Sequence, residues 1–218
     1  MYFKSRTTAG KTLAEQLAKK YLHEPCAVVA LSDGGVMVGA QIALQLHAVL
    51  GMLLTEPINL PREDEAVAGI SESGSFAYNN MYAPGEIEEF ISEYRGFIEE
   101  QKFNKMSEMH RLLGGSGLIR PDLLEHKNII LVSDGLSSGF SLDVAMEFLK
   151  PISIKKLVVA TPFASVPAVD RMHILADDIY CLNVLEDYIS TDHYYEKNDV
   201  PHHEVVVKTL EEIMQHWQ

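Results

Sequence analysis

The sequence predicts an α/β fold, a central parallel sheet with helices packed against it. Two observations carry this. Short apolar runs such as Cys26–Leu31 (CAVVAL) and Ile129–Val132 (IILV) lack the alternation of a half-exposed strand, as strands buried on both faces do. Each run passes through a small-residue loop into a segment of helical apolar spacing, Val36–Leu46 after the first and Leu142–Leu149 after the second.

The elements follow in order. Thr8–Leu22 has helical spacing, with Leu13, Leu17 and Leu22 on one face and Lys19 and Lys20 near the end. Cys26–Leu31 is a buried strand, Ser32–Gly35 a turn, Val36–Leu46 a helix and Val49–Thr55 the next strand. Glu56–His126 interrupts this alternation. Its first part carries Pro57, Pro61 and glycines, which fits a mobile loop and then a short hairpin around Ser73–Ser75. Pro84–Leu113 is helical, with Ile87, Phe90, Ile91, Tyr94, Phe97 and Ile98 as its apolar stripe. Gly114, Gly115 and Gly117 follow its end. Asn128–Val132 resumes the sheet. Lys155–Pro162 and Asp178–Val184 add two strands, with a helix at Val166–Ala176 between them and an amphipathic helix at Glu204–Trp217. The chain reads as a single domain over 1–218, with 56–126 inserted as a hood or lid.

Composition limits the function. With 218 residues, 47% of them hydrophobic and 22% charged, the chain can bury an ordinary globular core. Its formal net charge of −13 repels nucleic acid backbones, so no nucleic-acid partner is expected. The same charge opposes polyphosphate binding unless Mg²⁺ screens it. Cys26 and Cys181 lie in apolar segments and read as buried free thiols. No stretch reaches the roughly 18 apolar residues of a membrane span, and MYFKSRTTAGK lacks the apolar core of a signal peptide. A cytoplasmic protein without a membrane partner is the expectation.

Ile129–Ser141 (IILVSDGLSSGFS) is the most informative segment. A strand runs into Ser133, Asp134 and Gly135, then Leu136, Ser137, Ser138, Gly139, Phe140 and Ser141 lead into a helix. Such a loop turns backbone N–H groups outward, where they can cradle a phosphate. Asp134 sits at the carboxyl end of its strand, where open α/β sheets place their ligands. A tight strand–helix turn with Ser141 as helix cap and Asp134 as loop cap would use the same residues structurally.

The blocks together resemble the type I phosphoribosyltransferases. They match in particular the members that open with FxxRTxAGxxLAxxL, here Phe3, Arg6, Thr7, Ala9, Gly10, Leu13, Ala14 and Leu17. A second block is Ser32-Asp33-Gly34-Gly35-Val36-Met37-Val38, and a third, in the insertion, is Glu65-Ala66-Val67-Ala68-Gly69-Ile70. The phosphate loop is Val132-Ser133-Asp134-Gly135-Leu136-Ser137-Ser138-Gly139-Phe140-Ser141. The resemblance covers nearly the whole chain. It implies the type I phosphoribosyltransferase fold with an inserted hood. The implied activity is Mg²⁺-dependent transfer of a phosphoribosyl group between 5-phosphoribosyl 1-diphosphate (PRPP) and a nitrogenous acceptor.

The resemblance also assigns roles. Gly135–Ser141 would hold the 5-phosphate, with Ser138 and Ser141 adding hydroxyl donors. Asp134 would bond a ribose hydroxyl, stabilise charge near the anomeric carbon, or act as base toward the incoming nucleophile. Ser133 replaces the first acidic residue of the usual pair. Ser32, Asp33, Gly34 and Gly35 would form the pyrophosphate loop, but Asp33 stands where the family has arginine and would repel a diphosphate. Gly34 and Gly35 can still offer N–H groups, and Asp33 can instead hold a metal through water. Arg62 is the one basic residue of Glu56–Asp64, and Lys102, Lys105 and Arg111 fit solvated helix charges or contributors to the site. A homodimer binding a phosphorylated sugar or nucleotide is implied. The rival is a chain that keeps the fold and phosphate loop but binds such a ligand in a regulatory role without transfer.

Other groups carry less. His193, His202 and His203, near Asp192, Glu196, Asp199 and Glu204, match no metal-binding spacing, so no metal site is assigned. Tyr188, Tyr194 and Tyr195 fit stacking on a base or, more commonly, core and interface packing. GxGxxG does not occur, which removes the usual dinucleotide fingerprint.

Overall fold

The computed structural model describes residues 2–63, 65–112, 119–198 and 200–216. The expected glycines 114, 115 and 117 and the chain end at Trp217 lie outside the described residues. Helix α1 is Arg6–Tyr21, strand β1 Cys26–Ala30, helix α2 Asp33–Leu46 and strand β2 Val49–Met52. Then come β3 (Thr55–Ile58), β4 (Ala68–Ser71), β5 (Phe76–Tyr78) and α3 (Pro84–Leu112). The second half runs β6 (Asn128–Val132), α4 (Phe140–Leu149), β7 (Lys156–Ser165), α5 (Val166–Leu175), β8 (Asp178–Leu185) and α6 (His203–His216).

The main sheet has the order β2-β1-β6-β7-β8, and every neighbouring pair is parallel. Its strands are buried on both faces, which is why they read as unbroken apolar runs. Alternate residues point to opposite sides. Val28, Ala30, Ile130, Val132, Val158 and Ala160 join a cluster with α1, α2, α6 and the hood. Ala27, Val29, Ile129, Leu131, Leu157 and Val159 join a second cluster with α4 and α5. Helices therefore cover both faces, as the fold class requires.

Chain direction reverses in the middle of this sheet. From β1 the chain crosses through α2 to β2 on one side. From β6 it crosses through α4 to β7 on the other. The carboxyl ends of β1 and β6 are thus adjacent while their following loops diverge, which is the switch point where such sheets open a ligand crevice.

The hood differs from the sequence expectation. Its first part is not a mobile loop: β3, β4 and β5 form a three-stranded antiparallel sheet. The expected strand 49–55 splits, so that Val49–Met52 stays in the main sheet and Thr55 opens β3. The β4–β5 hairpin falls where Ser73–Ser75 predicts it. Gly74 takes a left-handed φ of 83°, and Ser71 N–H bonds Ser75 C=O at 2.8 Å. Gly69 lets this sheet meet α4 closely, since a Cβ there would sit 2.6 Å from the Phe140 ring. The α3 stripe faces inward at Phe90, Tyr94, Phe97 and Ile98, whereas Ile91 stays exposed. Tyr94 has non-helical φ/ψ, and the helix kinks there.

Helix starts also shift, each toward a capping residue. Ser5 caps α1 by accepting from Thr8 N–H, and Ser32 caps α2 by accepting from Gly35 N–H. The expected turn at Ser32–Gly35 is therefore the cap and first turn of α2. The cap of α4 is Gly139, at φ 71°, so Ser141 lies inside the helix and is not its cap. No described helix is long and apolar enough to cross a membrane.

A third, small cluster ties the chain ends together. Phe163 is fully buried against Phe3, Tyr194 and Tyr195. Phe163→Ala removes the centre of that cluster. It is expected to destabilise the fold by about 3–5 kcal/mol, read by equilibrium urea unfolding.

Candidate active site

The site is built at the switch point, between the end of β6 and the start of α2. Ser133 and Asp134 follow β6 directly. The Asp134 carboxylate is buried and held at both oxygens: Ser32 Oγ donates to Oδ1 at 2.7 Å, and Arg6 Nε donates to Oδ2 at 2.6 Å. The backbone C=O of Asp134 accepts from the Tyr195 hydroxyl at 2.7 Å. Gly34 is what permits this closeness, because a Cβ there would overlap the Asp134 carboxylate and lie 2.6 Å from Arg6 Nε. A Cβ on Gly35 would lie 2.9 Å from Val132 C=O.

Arg6 is 1% exposed and uses all three nitrogens. Besides Asp134, Nη1 donates to Asn198 Oδ1 at 2.8 Å and Nη2 to Asp192 Oδ1 at 2.5 Å. The guanidinium lies 4.5 Å from the centroid of the Tyr195 ring. Burial works against its charge, but the hydrogen bond and charge of Asp134, with the hydrogen bond to Asp192, outweigh this and raise its pKa. Burial, then the Asp134 charge, pushes the Tyr195 phenol far above its ordinary value, so it serves as a neutral donor.

The loop after Asp134 divides into residues with hydrogen-bonded or packed anchors and residues whose backbone N–H is unpaired among the described residues. Ser133 turns its hydroxyl into the loop, donating to Gly135 C=O at 2.8 Å. Leu136 is not available to a ligand. Its side chain is core, its N–H bonds Phe163 C=O at 3.0 Å, and it bridges to Ala164. The Ser165 hydroxyl pins Ser137 C=O, and Phe140 packs on the hood. Against these anchors, the N–H groups of Ser137, Ser138, Gly139 and Ser141 have no hydrogen-bond partner among the described residues. These four unpaired donors lie around the start of α4, with Ser138 and Ser141 among them, at a helix N-terminus where N–H groups are open to an acceptor. Gly135 is overhung from the other side, since a Cβ there would overlap the Tyr188 hydroxyl, which bonds Thr191 Oγ1 at 2.8 Å.

The second loop is less open than its sequence suggests. Gly35 N–H is taken by Ser32 Oγ at 2.9 Å, leaving those of Asp33 and Gly34. Asp33 Oδ1 is 2.8 Å from His203 Nδ1 of α6, and His203 Nε2 is buried without a partner. His203 thus joins α6 to the first turn of α2, beside the Ser32–Gly35 segment. Lys105 pairs with Glu56 at 3.1 Å, and Lys102 with Glu99 at 2.8 Å while lying over the Phe76 ring. Both bind within the hood. Among the described residues no group of three or more His, Cys, Asp or Glu side chains is placed to hold a metal ion.

Sequence reasoning misses Arg6, Asp192, Asn198 and Ser165 as site residues. Arg6 does stand out in the N-terminal block, but its partners lie 128, 186 and 192 positions away. Tyr194 and Tyr195 pack on Phe163, which is their core role.

The fold agrees with comparison to known proteins. The phosphoribosyl transferase domain family matches residues 4–204, and the chain belongs to that family. Two Mycobacterium tuberculosis proteins (strains CDC 1551 / Oshkosh and H37Rv) named as phosphoribosyl transferases are each 27% identical over 185 residues. The match spans 83% of this chain but only 40% of theirs. The crystal structure of the TT1426 protein from Thermus thermophilus is similar over 100% of this chain and 99% of that one, with a TM-score of 0.70 and 26% identity. A Staphylococcus aureus hypoxanthine phosphoribosyltransferase shares the fold, with a TM-score of 0.50 and 14% identity over 86% of this chain and 79% of its own. The architecture is the type I phosphoribosyltransferase fold.

The glycine at the contact gives a direct check. Gly34→Ala should force α2 away from Asp134 and cost on the order of 1–3 kcal/mol in urea unfolding. Gly85→Ala, where a Cβ meets nothing within 4 Å, should stay within about 0.5 kcal/mol of the parent or gain stability.

Proposed function

We propose that the chain binds a ribose 5-phosphate group at this site and transfers it between PRPP and a nitrogenous acceptor. The carrying observation is the pairing of the four unpartnered N–H groups at Ser137, Ser138, Gly139 and Ser141 with a carboxylate fixed at the mouth of the same loop. Neutral N–H donors suit a phosphate in a protein of net charge −13, because they attract the anion without adding a cation to a crowded site. Hydrogen bonds to a charged group contribute about 1.5–3 kcal/mol each.

In the transfer, the bond from ribose C1 to the pyrophosphate oxygen breaks, and its electron pair leaves with pyrophosphate. The acceptor nitrogen's lone pair forms the new bond to C1, and the proton it carried is released. Asp134 receives ribose hydroxyls through the lone pairs that Arg6 and Ser32 leave open, which fixes C1 relative to the acceptor. The N–H groups of Asp33 and Gly34 face the pyrophosphate side. Mg²⁺ enters as part of the diphosphate substrate.

A second reading has its own observation. Asp33 is paired with His203 where a diphosphate would need positive charge, which supports a chain that binds a phosphorylated sugar or nucleotide for regulation and does not transfer it. Calorimetric titration separates the two. The transferase reading expects PRPP with Mg²⁺ to bind at least tenfold more tightly than ribose 5-phosphate, about 1.4 kcal/mol. It also expects Asp134→Asn to abolish that binding. Equal binding of PRPP and ribose 5-phosphate, with none of pyrophosphate, would select the regulatory reading. Binding of neither sugar phosphate would overturn both.

A further inference from the structure

Arg6 belongs to the N-terminal block, far in sequence from the β6 loop, yet its guanidinium touches the Asp134 carboxylate. A buried guanidinium persists only where its donors are satisfied. Asp134 satisfies Nε. The other two nitrogens reach out to Asp192 and Asn198, whose side chains lie at the surface, and the Tyr195 ring covers the guanidinium. The segment that supplies these partners is zipped to the N-terminus. Phe3 N–H bonds Tyr194 C=O at 3.1 Å, Glu196 N–H bonds Phe3 C=O at 2.9 Å and Lys197 N–H bonds Lys4 C=O at 3.0 Å.

The loop itself cannot orient Asp134 through a neighbouring acid. Ser133 has no charge, and its hydroxyl is turned away into the Gly135 carbonyl. Orientation must come from outside the loop, and the two groups on the carboxylate oxygens are Ser32 and Arg6. The planar guanidinium fixes direction as well as charge, because each N–H points along a set line and the outer N–H groups are already anchored.

We propose that Arg6 is the positioning residue of the ribose site: anchored from outside by Asp192 and Asn198, it holds Asp134 in the orientation that receives ribose hydroxyls. This inference rests on the ribose-phosphate reading above. It assigns a task to the 188–198 segment, which fixes the guanidinium from the surface. It also predicts selectivity. Loosening Arg6 should weaken recognition of the sugar and leave the phosphate cradle, which is built from Ser137–Ser141, untouched.

The test is calorimetry with ribose 5-phosphate and with inorganic phosphate on the full chain. The variants are the double substitution Asp192→Ala with Asn198→Ala, and separately Arg6→Lys. The double variant leaves Nη1 and Nη2 without these partners and should lose some stability, so thermal melting first fixes a temperature at which it is folded, and the titrations are run there. The expected result is a loss of roughly tenfold or more in ribose 5-phosphate affinity with inorganic phosphate affinity unchanged. Arg6→Lys keeps the charge but not the fork, and should shift selectivity the same way. Unchanged ribose 5-phosphate affinity in the folded double variant would overturn the proposal. Equal loss for both ligands would also overturn it, since Arg6 would then support the whole loop. A parent chain with no preference for ribose 5-phosphate over phosphate would overturn the underlying reading, and this inference with it.

Discussion

The ion pair between Arg6 and Asp134 is the constraint on which the rest of the site depends. It joins the first turn of α1 to the end of β6, and through Ser32 it reaches the cap of α2. Burying two charges is costly, and removing one partner of such a pair typically costs about 3–5 kcal/mol because the other is left uncompensated. The surrounding sequence offsets that cost in detail. Glycine at position 34 leaves room for the carboxylate, Ser32 supplies a hydroxyl to its second oxygen, and Asp192 and Asn198 occupy the outer nitrogens of the guanidinium. The pair sits where β1 and β6 send their loops apart, so the same contact that closes the fold also sets the geometry of the crevice.

The two sides of that crevice have different chemistry. On the β6 side, the unpaired N–H groups carry no formal charge and need no cation to attract a phosphate. On the β1 side, Asp33 is engaged by His203, which brings the last helix against the first turn of α2. Under the proposed function, the phosphate end of the ligand meets these unpaired N–H groups. Under the same reading, the opposite end meets Asp33, which His203 already engages. This asymmetry keeps a regulatory reading beside the transferase reading in a chain that belongs to the phosphoribosyl transferase domain family.

Much of the fold is legible in the sequence because its causes are local. Strands buried on both faces need apolar side chains at consecutive positions, so CAVVAL and IILV stand out, and the loop after β6 follows from its glycines and serines. Of the hood sheet only the β4–β5 hairpin is legible, from Ser73–Ser75; the rest is not, because β3, β4 and β5 have only three or four residues each and carry Pro57 and Gly69. Tertiary packing against α4 makes them strands. Ser141 reads as a cap because its hydroxyl suits the role, whereas Gly139 is the residue that takes the left-handed turn. The site's least visible part is the Arg6 network. The sequence places Arg6 only in the N-terminal block, and its partner 128 residues later is what buries it. Likewise Asp33 reads as a bare repulsive charge until α6 brings His203 to it.

The measurement closest to the central claim is a crystal structure of the chain with ribose 5-phosphate bound. The account predicts phosphate oxygens within hydrogen-bonding distance of the N–H groups of Ser137, Ser138, Gly139 and Ser141. It also predicts a ribose hydroxyl on the Asp134 carboxylate, with the Arg6 contact kept. A phosphate bound away from that loop, or a ribose that leaves Asp134 bonded only to Arg6 and Ser32, would contradict it.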